Sequence, residues 1–241
     1  MFKFLLNNHK NIIIKQKLKF MDPTTASSEA LSKLRELNSE SGWYIIPLLA
    51  IVLYIYGVEI KNARETGNWS TIFAGLTVLG LDLINEIWNG LVFVATNYSA
   101  FWTTPGASAY IILIGWNIEI AFMFSIAGII FAKFLPDDKN KKIFGLPNRW
   151  AMAIGFALFC VIVEIFLNIG NYLIWAYWWW HWYNPILIFL IGYFHFFVIA
   201  FYVYDLPERK SKVRVVSMIY AIGLVLLCIF LPLGIAGIIN F

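Results

Sequence analysis

The chain has 241 residues, of which 61% are hydrophobic and 13% charged, with a mean hydropathy of +0.73. Soluble domains carry about a quarter charged residues, so that class is excluded and a membrane protein is implied. The formal charge of +4 points to no nucleic-acid partner. Five of the 18 basic residues (Lys3, Lys10, Lys15, Lys17 and Lys19) lie in the first twenty positions, and from Met21 onward 13 basic face 14 acidic side chains.

In chain order, residues 1–42 form a polar lead-in. Its first twenty residues lack the continuous apolar core of a signal peptide, and an acidic stretch follows Met21. Met21 is therefore the expected native start, with residues 1–20 outside the native protein. Residues 43–241 read as one membrane domain with spans near 43–60, 69–96, 107–133, 150–178, 185–204 and 214–239. Each approaches or exceeds the ~20 residues that cross the hydrocarbon core. The expected fold class is all-α: a polytopic integral membrane helix bundle of six transmembrane helices. Cys160 and Cys228 fall inside apolar runs and read as small packing residues.

Lys and Arg sort the connecting loops. Residues 61–68, 134–149 and 205–213 carry them, whereas "NYSAFWTTPG" and "WWWHWYNP" carry none. The positive-inside rule places the first set in the cytoplasm and both termini outside. The non-basic loops are aromatic instead: Trp175 to Tyr183 hold seven aromatic residues, five of them Trp. Such density suits an interfacial belt, a roof over a site between helices, or both.

Segments recur along the chain. "AIGFALFC" (153–160) matches "AIGLVLLC" (221–228), and "FLPDDKNKK" (134–142) resembles "DLPERKSKV" (205–213). Helix, aromatic loop, helix and basic Leu-Pro loop make one unit. The expectation is a parallel internal repeat of helix hairpins, spans two and three against spans four and five. It sets Glu86 against Glu164, and the segment of Asn117 and Glu119 against His195.

The second span carries Asp82, Asn85, Glu86 and Asn89 at i, i+3, i+4 and i+7, one face of a helix. Glu164, Asn168 and Asn171 make a second stripe in the fourth span, and Asn117 and Glu119 lie two residues apart in the third. A carboxylate at mid-membrane costs about 2.5–3.5 kcal/mol on insertion scales, so these groups must face one another, water or a cation. Glu86, Glu119, Glu164 and His195 are the expected catalytic set. Asn85, Asn89, Asn117, Asn168, Asn171, Trp88, Trp116 and Trp175 are the expected substrate contacts. Asp82 is expected to stand apart, nearer the cytoplasmic side.

A carboxylic acid beside Asn donors is a candidate general acid, and Trp faces can stabilise a developing cation. Together they suit protonation of an olefin or epoxide in an apolar substrate. Integral-membrane terpenoid cyclases and sterol isomerases use residues of these types, a likeness without a shared motif. The leading expectation is a membrane-embedded enzyme acting on a lipid or isoprenoid, with membrane lipid and an apolar small molecule as partners. The alternatives are an ion or small-solute transporter or channel, and a lipid-binding or assembly subunit. No metal site is assigned, although Glu86, Glu119, Glu164 and His195 could together hold a single metal ion. No nucleotide glycine loop, nucleophile elbow or paired-Cys motif is present.

Overall fold

A computed structural model describes residues 22–38, 40, 42–236 and 239. The expected Met21 start and the segment before it lie outside the described residues. Among the described residues seven α-helices follow in order: α1 (Thr25–Ser32), α2 (Ile45–Thr66), α3 (Ser70–Thr96), α4 (Ile118–Ala132), α5 (Asn148–Ile169), α6 (His195–Asp205) and α7 (Arg209–Ile235). A π-helical segment, Ile188–Phe194, leads directly into α6. Two short hairpins join helices: β1 (Ile111–Leu113) with β2 (Trp116–Asn117), and β3 (Lys142–Ile143) with β4 (Leu146–Pro147).

Five helices among the described residues are long and apolar enough to cross a membrane: Gly42–Thr66, Ser70–Thr96, Asn148–Ile169, Ile188–Asp205 and Arg209–Ile235. The sixth, α4, is apolar but has 15 residues. At 1.5 Å per residue it is about 22 Å long, against a ~30 Å hydrocarbon core. The apolar run 107–133 therefore divides. Its first part pairs Ile111 with Asn117 and Leu113 with Trp116 as a hairpin. Hydropathy does not distinguish a buried strand from a helix, and Ile111 and Ile112 have the β-branched shape that suits a strand. The run 150–178 also stops short, because α5 ends at Ile169 and Asn171 adopts a left-handed backbone (φ 60°).

The most enclosed helix is α3, which packs against α4, α6 and α7. Its backbone nearly touches α4: a Cβ on Gly128 would lie 2.6 Å from the Ala74 carbonyl oxygen and 2.8 Å from Gly75 Cα. Small residues at such crossings let membrane helices pack by close van der Waals contact. By contrast, α2 stands at the rim, tied to α4 by an ion pair between Glu59 and Lys133.

The chain passes back and forth between two chemically distinct ends. At one, Arg149 grips Asp205 through Nε (2.9 Å) and Nη2 (3.1 Å), and Lys212 Nζ donates to the Val203 carbonyl (3.0 Å). A cation at the last carbonyls of a helix is favourable. At the other end the aromatic loops meet, and α1 lies over them, with Thr24 N donating to the Tyr98 carbonyl (2.9 Å).

Candidate functional site

Three carboxyl groups in the bundle are each held by a tryptophan. Trp116 Nε1 donates to Asp82 Oδ2, Trp102 Nε1 to Glu86 Oε1, and Trp175 Nε1 to Glu164 Oε1, all at 2.9 Å. All three acids are buried. Asp82 and Glu86 lie one turn apart on α3, and Glu164 faces them from α5. The expectation that Asp82 stands apart, nearer the cytoplasmic side, is corrected, because its carboxyl is held by Trp116 and lines the same cavity as Glu86 and Glu164.

The indoles reach the acids because the loops above are pinned. Asn89 is fully buried at the top of α3. Its Nδ2 donates to the Trp102 carbonyl (2.8 Å), and its Oδ1 accepts from the N–H groups of Phe101 (2.8 Å) and Trp102 (3.3 Å). Asn168 does the equivalent on α5, donating to the Leu173 carbonyl at 2.9 Å. The two loops are tied to each other between Thr103 and Ile174, with N–H to carbonyl distances of 3.0 and 2.8 Å. Trp102 and Trp175 flank that bridge, one on each strand.

A narrow cavity lies among the acids, lined by Asp82, Asn85, Glu86, Glu164, Trp102, Trp180, Tyr193 and apolar side chains. Its volume of about 40 Å³ holds roughly three waters, each needing ~10–15 Å³. Trp102 and Trp180 stack at 5.4 Å between ring centroids. Tyr193 shares that lining with Glu164. Tyr193 and Gly192 belong to the π-helical segment, where Asn85 Nδ2 donates to the Ile191 carbonyl at 3.0 Å. Departures of this kind from the α-helical ladder recur at functional sites.

The cavity adjoins a second, larger space. An apolar groove of about 330 Å³ runs between α4 and α5, floored by Tyr193 and Phe197. It shares Met123, Phe124, Leu167 and Tyr193 with the acid cavity. Met123, Ile130 and Phe159 on its walls are exposed on the flank of the bundle. Towards the basic end the groove meets Phe131, which stacks on Phe156 at 4.4 Å.

Several expected site residues lie elsewhere. Glu119 occupies the first turn of α4, where it accepts from Ser108 Oγ (2.6 Å), Ala109 N (2.8 Å) and the Tyr44 hydroxyl. With residues 107–117 outside the helix, Glu119 is a helix-start acid rather than a mid-span one, the end that favours negative charge. Asn117 caps the same helix, its Oδ1 accepting from Ile120 N at 2.9 Å. Asn171 is an exposed turn residue. His195 packs edge-on to Phe196 at 4.5 Å, with Nδ1 3.4 Å from the Leu190 carbonyl, and does not line the cavity. Glu86, Glu119, Glu164 and His195 therefore do not converge on one metal position, and among the described residues no cluster of three or more His, Cys, Asp or Glu is arranged to hold a metal ion. Trp88 is 37% exposed and packs on Phe101 at 4.6 Å. Trp116 and Trp175 stand behind the acids as donors.

Sequence reasoning missed Trp102, Trp180 and Tyr193 as cavity residues. One signal was available. Trp102 follows Glu86 by 16 residues, and Trp180 follows Glu164 by the same 16.

These features define a multi-pass membrane helix bundle with a buried carboxyl and indole centre. The chain belongs to a family described as "Uncharacterized membrane protein family", which matches residues 24–232. It is similar to a protein of Archaeoglobus fulgidus described as "Uncharacterized protein", 50% identical over 208 residues that cover 86% of this chain and 96% of that one. No solved structure matches it.

Proposed function

We propose that the protein is a membrane-embedded enzyme that performs acid/base chemistry on a lipid or isoprenoid. The observation that carries this reading is the junction of two spaces. A cavity walled by Asp82, Glu86 and Glu164 shares four side chains with an apolar groove open on the lipid-facing flank. A groove of about 330 Å³ lies within the ~300–1,000 Å³ usual for small-molecule sites. A chain entering sideways from the bilayer would bring its polar or unsaturated end to the acids.

In this reading one carboxyl protonates an olefin or epoxide, and the faces of Trp102 and Trp180 stabilise the cation that forms. A second carboxylate then removes a proton, which makes the overall change an isomerisation. Asn85, Asn89 and Asn168 hold the walls in place. The basic end lies in the cytoplasm with both termini outside, so the acids sit toward the outer half of the bilayer. The Glu–Trp spacing of 16 in both halves and the Thr103–Ile174 pairing of the two loops support a duplicated hairpin as the origin of the site.

Passage of a small ion or solute is the second reading, favoured by the water-sized cavity. The Phe131–Phe156 stack toward the basic end weighs against it. One experiment separates the two. Purified protein in lipid nanodiscs is incubated with isoprenoids and polar lipids from its source membrane, and products are followed by mass spectrometry. Glu86→Gln and Glu164→Gln are expected to abolish conversion while the melting temperature stays within a few degrees. Conversion that survives in both variants sinks the enzyme reading, as does collapse of both folds.

A further inference from the structure

Two residues that line the acid cavity each carry a buried polar atom without a hydrogen bond. Glu86 Oε2 and Trp180 Nε1 are both buried and both unpartnered, on residues 3% and 1% exposed. Buried polar groups are nearly always paired, so two orphans on one small cavity mark a place that something else fills.

Their chemistry restricts what that is. An indole N–H is a donor only, and a carboxylate oxygen is an acceptor. A hydroxyl group is both, so one hydroxyl can satisfy the pair at once. A ketone could accept from Trp180 but matches Glu86 only when that carboxyl is protonated, whereas a hydroxyl fits either form. An ammonium could donate to Glu86 but has no lone pair for Trp180. A phosphate would meet three acids in a cavity lined by no Lys, Arg or His. Unpaired like charge at that depth is prohibitive.

Resting on the reading of this site as a lipid site, we propose that its ligand is a neutral long-chain or isoprenoid alcohol. Its hydroxyl donates to Glu86 Oε2 and accepts from Trp180 Nε1, while its chain lies in the groove between α4 and α5. The two polar atoms set the head group, and the apolar walls of Phe124, Leu167 and Phe197 receive the hydrocarbon. A water molecule could also bridge the orphans, but it would leave the adjoining groove unexplained.

Binding of three matched probes to the intact protein in micelles tests this: farnesol, farnesyl phosphate and the hydrocarbon farnesene, followed by native mass spectrometry. Wild-type protein is expected to bind farnesol about tenfold or more tightly than farnesene, the size of one well-made buried hydrogen-bond pair. Farnesyl phosphate is expected to bind no better than farnesene. In Trp180→Phe, which keeps an aromatic face but removes the N–H and one fused ring, both probes meet the same loss of packing and the farnesol-to-farnesene affinity ratio should lose most of its tenfold excess. Equal binding of farnesol and farnesene overturns the inference and leaves a bridging water as the occupant. Tightest binding by the phosphate overturns it too, and so does an unchanged preference in Trp180→Phe. Because the wild-type comparison stands alone, the inference stays testable even if the variant fails to fold. Failure of all three probes to bind overturns the lipid-site reading itself, whereas binding without preference overturns the alcohol alone.

Discussion

Glu86 and Glu119 are both glutamates set in apolar stretches of the sequence, and the fold treats them in opposite ways. Glu119, at the start of α4, has both oxygens occupied, by Ser108, Ala109 N–H and Tyr44. Glu86, inside α3, receives one indole and keeps one oxygen unpartnered. A carboxylate whose acceptor capacity is consumed by its own chain is a structural joint. One that is buried and left half-satisfied is available to a ligand. The contrast separates glue from site more sharply than the presence of an acid in a hydrophobic segment.

The contrast yields an ordered set of stability effects. Glu119→Ala should be the most damaging, since it strands three donors at once; a loss of about 2–4 kcal/mol is expected, visible as a lower midpoint in denaturant titration of micelle-bound protein. A smaller loss, about 1–3 kcal/mol each, is expected for Trp102→Phe and Trp175→Phe, one hydrogen bond within a membrane bundle plus the volume trimmed from a buried indole. Near-ultraviolet circular dichroism during heating would report it. If either variant proves costlier than Glu119→Ala, the site acids are the true joints and the distinction collapses. Glu86→Gln keeps an acceptor for Trp102 and nearly the same shape, so its stability should stay within about 1 kcal/mol of wild type.

The two arms of the site are alike where Glu86 and Glu119 differ. On α3, Asn89 holds the loop that carries Trp102 to Glu86; on α5, Asn168 holds the loop that carries Trp175 to Glu164. In both, an asparagine about one turn beyond the acid holds a loop in order, and the loop returns an indole to that acid. The arms are not identical, because Trp175 stands behind Glu164 while Trp180 is the ring that faces the cavity beside Trp102.

Much of this was legible in the residues. The polar face of α3 follows from the spacing of residues 82, 85, 86 and 89, since helical periodicity is a local property. The membrane class follows from composition, and the position of each long helix from hydropathy. What failed was depth and company. Glu119 and Asn117 looked like mid-span groups because residues 107–117 are as apolar as a helix, yet they fold as a hairpin and move both to a helix start. Asn171 looked like part of a stripe until α5 ended two residues before it. His195 was central by position, but its ring turns to Phe196.

The sequence by itself determined that this is a membrane helix bundle with acids too costly to leave facing lipid, because transfer energies depend on residue type and local order alone. Only the tertiary structure decided which acids meet, which indole each receives, and which oxygen is left open. Those outcomes depend on loops closing over 11 to 34 residues and on helices meeting across the bundle, where contact geometry replaces composition as the controlling quantity.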